Sequence, residues 1–163
     1  MQKTTYIYEK KQFDFKMNLM PIWFQEINAS GNEKEGSIML ESQNIYDEFW
    51  GPIAQMEINW ETKPINEFYH PKEVQRNIDM YSGIQVAVMK KKNDWLNSHN
   101  YTIWQGNRRK LIKTTYYEEL SIHGIFYCEK SQKLYNLNCG VIKEHFDGFE
   151  QYILDAFNSI VCH

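Results

Sequence analysis

The stretch IAQMEINW, Ile53 to Trp60, constrains the fold more than any other. Ala54, Met56, Ile58 and Trp60 alternate with Gln55, Glu57 and Asn59. A period of two is that of an extended strand with one covered face and one wet face. Such a strand belongs to a sheet with one face covered by another layer. The chain is therefore expected to build an antiparallel sheet and to supply helices that cover it.

The rest of the sequence fits that expectation. In FDFKM, Phe13, Phe15 and Met17 share a face opposite Asp14 and Lys16. PIWFQEI and SIMLES flank the polar NASGNEKEG segment (Asn28 to Gly36), as in a long hairpin. HPKEVQRNIDMYSG opens with His70 before Pro71, carries Glu73 in its first turn, and places Val74, Ile78 and Tyr81 on one stripe. That is an amphipathic helix with Gly83 as its stop. A strand is expected from Ile84 to Met89. Beyond it, YTIWQ and RRKLIKTTYY flank Gly106-Asn107, a two-residue turn signal that sets Trp104 opposite Arg109 and Tyr101 opposite Ile112. IHGIFYC and KLYNLNCGV are two more strands. Phe149, Ile153, Ala156, Phe157 and Ile160 form the stripe of a final helix. The expected fold is α+β: an antiparallel sheet of about six to eight strands with a middle helix and a C-terminal helix packed on it. With 163 residues and no linker or repeat, one domain over residues 1–163 is expected.

All three cysteines lie late, at Cys128, Cys139 and Cys162. A turn at Ser131-Gln132 makes opposed residues sum to 263. Phe126 then faces Leu137, Gly124 faces Cys139 and Cys128 faces Tyr135. One face collects Phe126, Cys128, Tyr135, Leu137, Cys139 and Val141; the other carries Tyr127, Asn136 and Asn138. Cys128 and Cys139 are thus expected inside, but about four residues and roughly 13 Å apart along the strands, too far for a disulfide. Cys162 follows a helix laid on the same face and approaches one of them. Buried thiols without a chemical role are the plainest reading. The alternative is a zinc site drawn from Cys128, Cys139, Cys162, His163 and His123, although no C-x2-C knuckle is present. His123 falls on the polar face, where a surface histidine is expected. His99 and His145 have no partner assignable from sequence.

Other chemistry leaves little trace. There is no Gly-rich phosphate loop, no H-E-x-x-H and no G-x-S-x-G, and no base is paired with a cysteine, so no catalytic residue is assigned. The formal charge of -3 speaks against nucleic acid as a partner. No leader and no membrane-length apolar run is seen, which points to the cytoplasm. Aromatics make up 15% of the chain. Tyr101, Trp104, Arg108, Arg109 and Lys110 combine rings with cations in one expected hairpin, a candidate surface for an acidic protein or an anionic small molecule. The Tyr46, Phe49 and Trp50 cluster in YDEFWGP fits either a core or a contact surface. Self-association is left open.

FDFKMNLMPIWFQE, an alternating strand leading to a Pro and then a Trp, is followed by a long hairpin, a middle helix, a late meander and the closing YILDAFNSI helix. In that order of elements the chain resembles the PsbP-like fold, an α/β/α sandwich around an antiparallel sheet. The resemblance implies a non-enzymatic binding or assembly role, as in extrinsic photosystem subunits and a nuclear-import factor that binds a small GTPase. It carries no site residues across. A binding or assembly protein is therefore the first expectation. A metal-binding protein and an enzyme with a pocket over the sheet are the alternatives.

Overall fold

The computed structural model describes residues 5–43, 46–47, 51–82, 87–96, 99–112 and 114–163. The strands are β1 (Thr5–Lys10), β2 (Phe15–Pro21), β3 (Phe24–Gly31), β4 (Glu35–Ser42), the short pair β5 (Tyr46–Asp47) and β6 (Gly51–Pro52), and β7 (Ala54–Thr62). Helix α1 (His70–Ser82) follows, then β8 (Ala87–Leu96), β9 (His99–Ile112), β10 (Thr115–Cys128), β11 (Lys133–Ile142), helix α2 (Phe146–Asn158) and β12 (Ile160–Val161). Seven strands form one antiparallel sheet in the order β3-β4-β7-β11-β10-β9-β8, and β1, β2 and β12 form a second sheet. The α+β expectation holds. The side chains of Tyr46, Phe49, Trp50, Tyr81 and Lys110 lie outside the described residues.

Strand β7 sits between β4 and β11, and its alternating residues point as the sequence requires. Ala54, Met56, Ile58 and Trp60 are buried, facing Leu40, Ile38, Cys139, Leu137 and Tyr135 through their strand pairs. The stripe of α2, with Phe149, Ile153, Ala156 and Phe157, covers this face together with Phe15, Met17 and Met20 of β2. The small sheet is tied to the large one by Tyr8, whose hydroxyl donates to the Glu26 carboxylate, and by the Lys10–Glu26 ion pair at 2.9 Å. Helix α1 covers part of the opposite face. Val74 packs there with Ile125, Tyr127 and Leu134. Phe68 stacks on Tyr127 at 4.0 Å, and Asn77 donates to Asn136 Oδ1 at 2.8 Å.

Three local expectations are corrected. The β3–β4 hairpin exists, but its ladder continues to Gly31 and Gly36, leaving only residues 32–34 in the turn. Gly31 takes φ 114°, and a Cβ there would lie 2.3 Å from the Glu35 carbonyl oxygen, so glycine is required. Asn32 Oδ1 accepts from the Lys34 and Glu35 amides and closes the turn. Gly106-Asn107 is not a turn. Both residues lie inside the 14-residue strand β9, paired with Ser121 and Leu120 on one side and Val88 and Ala87 on the other. The reversal comes after Ile112, because ladder partners on both edges outweigh a local turn preference. Of the strand expected from Ile84 to Met89, residues 84–86 lie outside the described residues; β8 is described from Ala87 and continues beyond Met89 through the lysine-rich segment to Leu96.

The last hairpin is also shifted. Its loop spans the four residues 129–132, with Gln132 at φ 53°, and Phe126 faces Tyr135, Gly124 faces Leu137 and Ile122 faces Cys139. Opposed residues sum to 261 instead of 263. A shift of two leaves every side chain on its expected face, so Phe126, Cys128, Tyr135, Leu137, Cys139 and Val141 are all buried in the main core.

Phe157 is fully buried on α2. Phe157→Ala is expected to lower the unfolding free energy by about 3–5 kcal/mol through lost transfer and the cavity left behind. The exposed Gln151→Ala should change it by less than about 0.5 kcal/mol. Urea denaturation of the two variants beside the parent chain checks the difference.

Candidate metal centre

Four donor side chains converge where β9 begins, β10 ends and the chain leaves α2. Cys128 closes β10 on the inward face. Continuing the β9–β10 register two residues beyond Phe126 and Tyr101 sets His99 across from Cys128. The other two donors come from the segment after α2. Ser159 directs that segment: its Oγ accepts from the Leu19 amide at 3.0 Å, and its carbonyl accepts from the Asn18 amide at 3.2 Å. Ile160 and Val161 then pair with Met17 and Lys16 as β12, which delivers Cys162 and His163 to the end of β10.

The donor atoms of His99, Cys128, Cys162 and His163 all lie within 4.8 Å of one another. Cys162 Sγ is 3.3 Å from His99 Nε2 and 3.2 Å from His163 Nδ1, and Cys128 Sγ is 3.3 Å from the same Nδ1. A tetrahedral zinc with bonds of about 2.3 Å to sulfur and about 2.0–2.1 Å to nitrogen sets ligand-to-ligand edges of about 3.3–3.8 Å. The three sulfur–nitrogen edges just given lie at the short end of that range, and the others stay within 4.8 Å. Cys128 is fully buried, Cys162 nearly so, His99 half-buried and His163 exposed. The His99 ring lies parallel to Phe126 at 6.3 Å and edge-on to His163 at 5.5 Å.

The electrostatics suit a cation. Burial, then the neighbouring Cys128, pushes the Cys162 thiol up to about 12, with Lys133 pulling the other way. Burial and the nearby His163 lower the His99 pKa, against a smaller opposite pull from Glu129. A neutral imidazole is the ligating form, and a bound divalent cation would displace the thiol protons.

Two residues named in the sequence-derived zinc set stand outside this cluster. Cys139 faces Ile122 and Met56 in the middle of the sheet. It is six residues along β11 from Lys133, the residue opposite Cys128, hence roughly 20 Å away at about 3.3 Å per residue. Burial, followed by Glu119, pushes its thiol well up. His123 is on the opposite face and is not a surface residue. It is 1% exposed, stacks on Trp104 at 3.6 Å and 2°, and has Nε2 2.8 Å from Ser121 Oγ. The cross-strand pairing of His123 with Trp104 explains the burial, because each ring covers the other. His99 was missed in the sequence. The signal for it was the β9–β10 register, which the apparent turn at Gly106 concealed.

The aromatic-cationic candidates are dispersed. Tyr101 and Trp104 are both 1% exposed and point to opposite faces of β9. Tyr101 meets Phe126 edge-on at 6.0 Å on the inner side, over the space left by Gly124. Arg108 Nε donates to the buried Glu119 at 2.7 Å, and Arg109 is exposed beside Glu118. Among the described residues no helix is long and apolar enough to cross a membrane.

No protein-family profile and no curated protein matches this sequence. Its fold has counterparts among solved structures. The solution structure of cyanobacterial PsbP (CyanoP) from Synechocystis sp. PCC 6803 superposes with a TM-score of 0.65 at 9% identity, over 100% of this chain and 95% of that one. The crystal structure of the protein of unknown function PA94 from Pseudomonas aeruginosa gives a TM-score of 0.56 at 9% identity, over 98% and 97%. The fold is PsbP-like, as the order of elements suggested.

Burial holds His123 neutral and pushes its pKa down to about 3, with the Arg108 charge adding to the effect. The unfolded chain therefore takes up a proton as pH falls through about 6.5, and the folded chain does not until about pH 3. Stability contributed by neutral His123 is present above 6.5 and is lost across that window, by up to about 1.4 kcal/mol per pH unit. Denaturation curves at pH 7, 6, 5 and 4 should show the parent chain losing stability more steeply than His123→Phe. Parallel losses would contradict this account of the buried ring.

Proposed function

We propose that this protein is a non-enzymatic binding domain whose ligand is a thiophilic divalent cation, zinc first, held by His99, Cys128, Cys162 and His163. The single observation that supports the reading is the meeting of these four donors, from three separate parts of the chain, within 4.8 Å. Two sulfurs and two imidazoles are a donor set for zinc, and carboxylate-seeking calcium or magnesium is disfavoured. Four protein ligands complete a tetrahedron and leave no open position for a substrate, which suits a held ion rather than a reacting one. Three unbridged thiols suit a reducing compartment such as the cytoplasm. The ion would join the segment after α2 to β9 and β10, and so tie the small sheet to the large one.

Protein purified without a histidine tag and analysed for metals is expected to carry about one zinc per chain, as tight structural sites do. Cobalt substitution should give the intense visible bands of a tetrahedral thiolate site. The double variant Cys128→Ser/Cys162→Ser should lose both signals, and Cys139→Ala should keep them. Zinc at about a thousand times its dissociation constant should add about 4 kcal/mol of stability, raising Tm by about 8–16 °C for a chain of this size. Less than about 0.2 zinc per chain, together with no tetrahedral cobalt spectrum, overturns the reading.

A further inference from the structure

We infer that Cys162 and Cys128 are a peroxide-oxidised dithiol, with Cys162 attacked first and Cys128 closing the disulfide. The two sulfurs lie within 4.8 Å of each other, and Cys128 Sγ also lies 3.7 Å from the carbonyl oxygen of Cys162 itself. The end of β10 and the backbone at Cys162 are therefore close, as a bond with Cα atoms about 4.4–6.8 Å apart requires. Their access differs. Cys162 lines a cavity of about 270 Å³ with Lys11, Asp14, Lys16 and His163, whereas Cys128 is fully buried and does not line it. A small neutral oxidant entering that cavity reaches Cys162 before Cys128. The two-residue strand β12 precedes Cys162, so the adjustment that brings the sulfurs together is confined to a short segment. Cys139, buried in mid-sheet, takes no part.

The chemistry balances with hydrogen peroxide as oxidant. The Cys162 sulfur, whose proton can pass to His163 Nδ1 at 3.2 Å, forms an S–O bond as the O–O bond breaks, and the departing oxygen leaves as water, giving a sulfenic acid. The Cys128 sulfur then attacks the Cys162 sulfur; an S–S bond forms, the S–O bond breaks, and a second water leaves. Two electrons pass from the sulfurs to the peroxide, and the two thiol protons end in the waters. Where a cation is bound, it departs as the divalent ion and solvent supplies the two protons. The disulfide removes two of four ligands, so oxidation releases the ion. This last consequence rests on the cation reading above; the dithiol itself does not.

The test treats both metal-free and zinc-loaded chain with hydrogen peroxide, alkylates the remaining thiols, and maps the digest by mass spectrometry. A chromogenic chelator follows zinc. A Cys128–Cys162 peptide is expected in both samples, with Cys139 alkylated, one zinc released per disulfide formed, and both changes reversed by dithiothreitol. In Cys128→Ser, dimedone should trap a sulfenic acid at Cys162. In Cys162→Ser, Cys128 should oxidise at least about tenfold more slowly, for want of access. A metal-free chain that forms no such disulfide, or one that bonds through Cys139, overturns the proposal, as does undiminished oxidation of Cys128 in Cys162→Ser. Zinc uptake without the disulfide defeats the dithiol and spares the cation reading; the disulfide without zinc uptake does the reverse. The parent chain supplies the decisive peptide map, so the test does not depend on either variant folding.

Discussion

The inward direction of one face of β10 and β11 is the constraint on which the rest of the structure depends. Phe126, Cys128, Tyr135, Leu137, Cys139 and Val141 all point toward α2 and the small sheet. Their burial fixes the side on which the covering layer must lie, and hence the route by which the chain returns after α2. That burial also sets the chemistry of the sulfurs. Burial pushes the thiols of Cys139 and Cys162 up. A buried sulfur that meets two imidazoles is a candidate cation site, because a divalent charge favours the thiolate.

The site depends on long-range assembly. His99 and Cys128 are brought side by side by the β9–β10 ladder, while Cys162 and His163 arrive only because Ser159 bonds to Leu19 and Asn18 and β12 pairs with β2. The four donors therefore bridge the large sheet and the small one, which also meet through side-chain contacts such as those of Glu26 with Tyr8 and Lys10. An ion in that place would strengthen a junction that, among the described residues, includes side-chain contacts such as these.

The two faces of the large sheet follow different rules. The inner face is apolar where α2 and the small sheet cover it. The outer face carries α1, held by the Lys63–Glu73 and Arg76–Glu61 ion pairs and by the Phe68–Tyr127 stack, with a buried Trp104–His123 pair beside it. Structures at 9% identity share the architecture. Burial patterns specify such a fold loosely, while particular side chains at strand ends specify what a given member can bind.

Much of the architecture was legible in the sequence. Alternation from Ala54 to Trp60 and the stripe from Phe149 to Phe157 determined which residues would be buried, because a period of two or of 3.6 is a local property, whereas Ile160, expected on that stripe, is buried from β12. The inward placement of Cys128 and Cys139 was legible too, since a two-residue error in register preserves every face. Tertiary structure decided what lies across from what. Gly106 became mid-strand because neighbours on both edges supplied ladder partners. His123 became buried because Trp104 stacked on it. His99 joined Cys128, Cys162 and His163, while Cys139 remained apart. Each of these outcomes depends on the pairing of residues far apart in the chain, which periodicity does not encode.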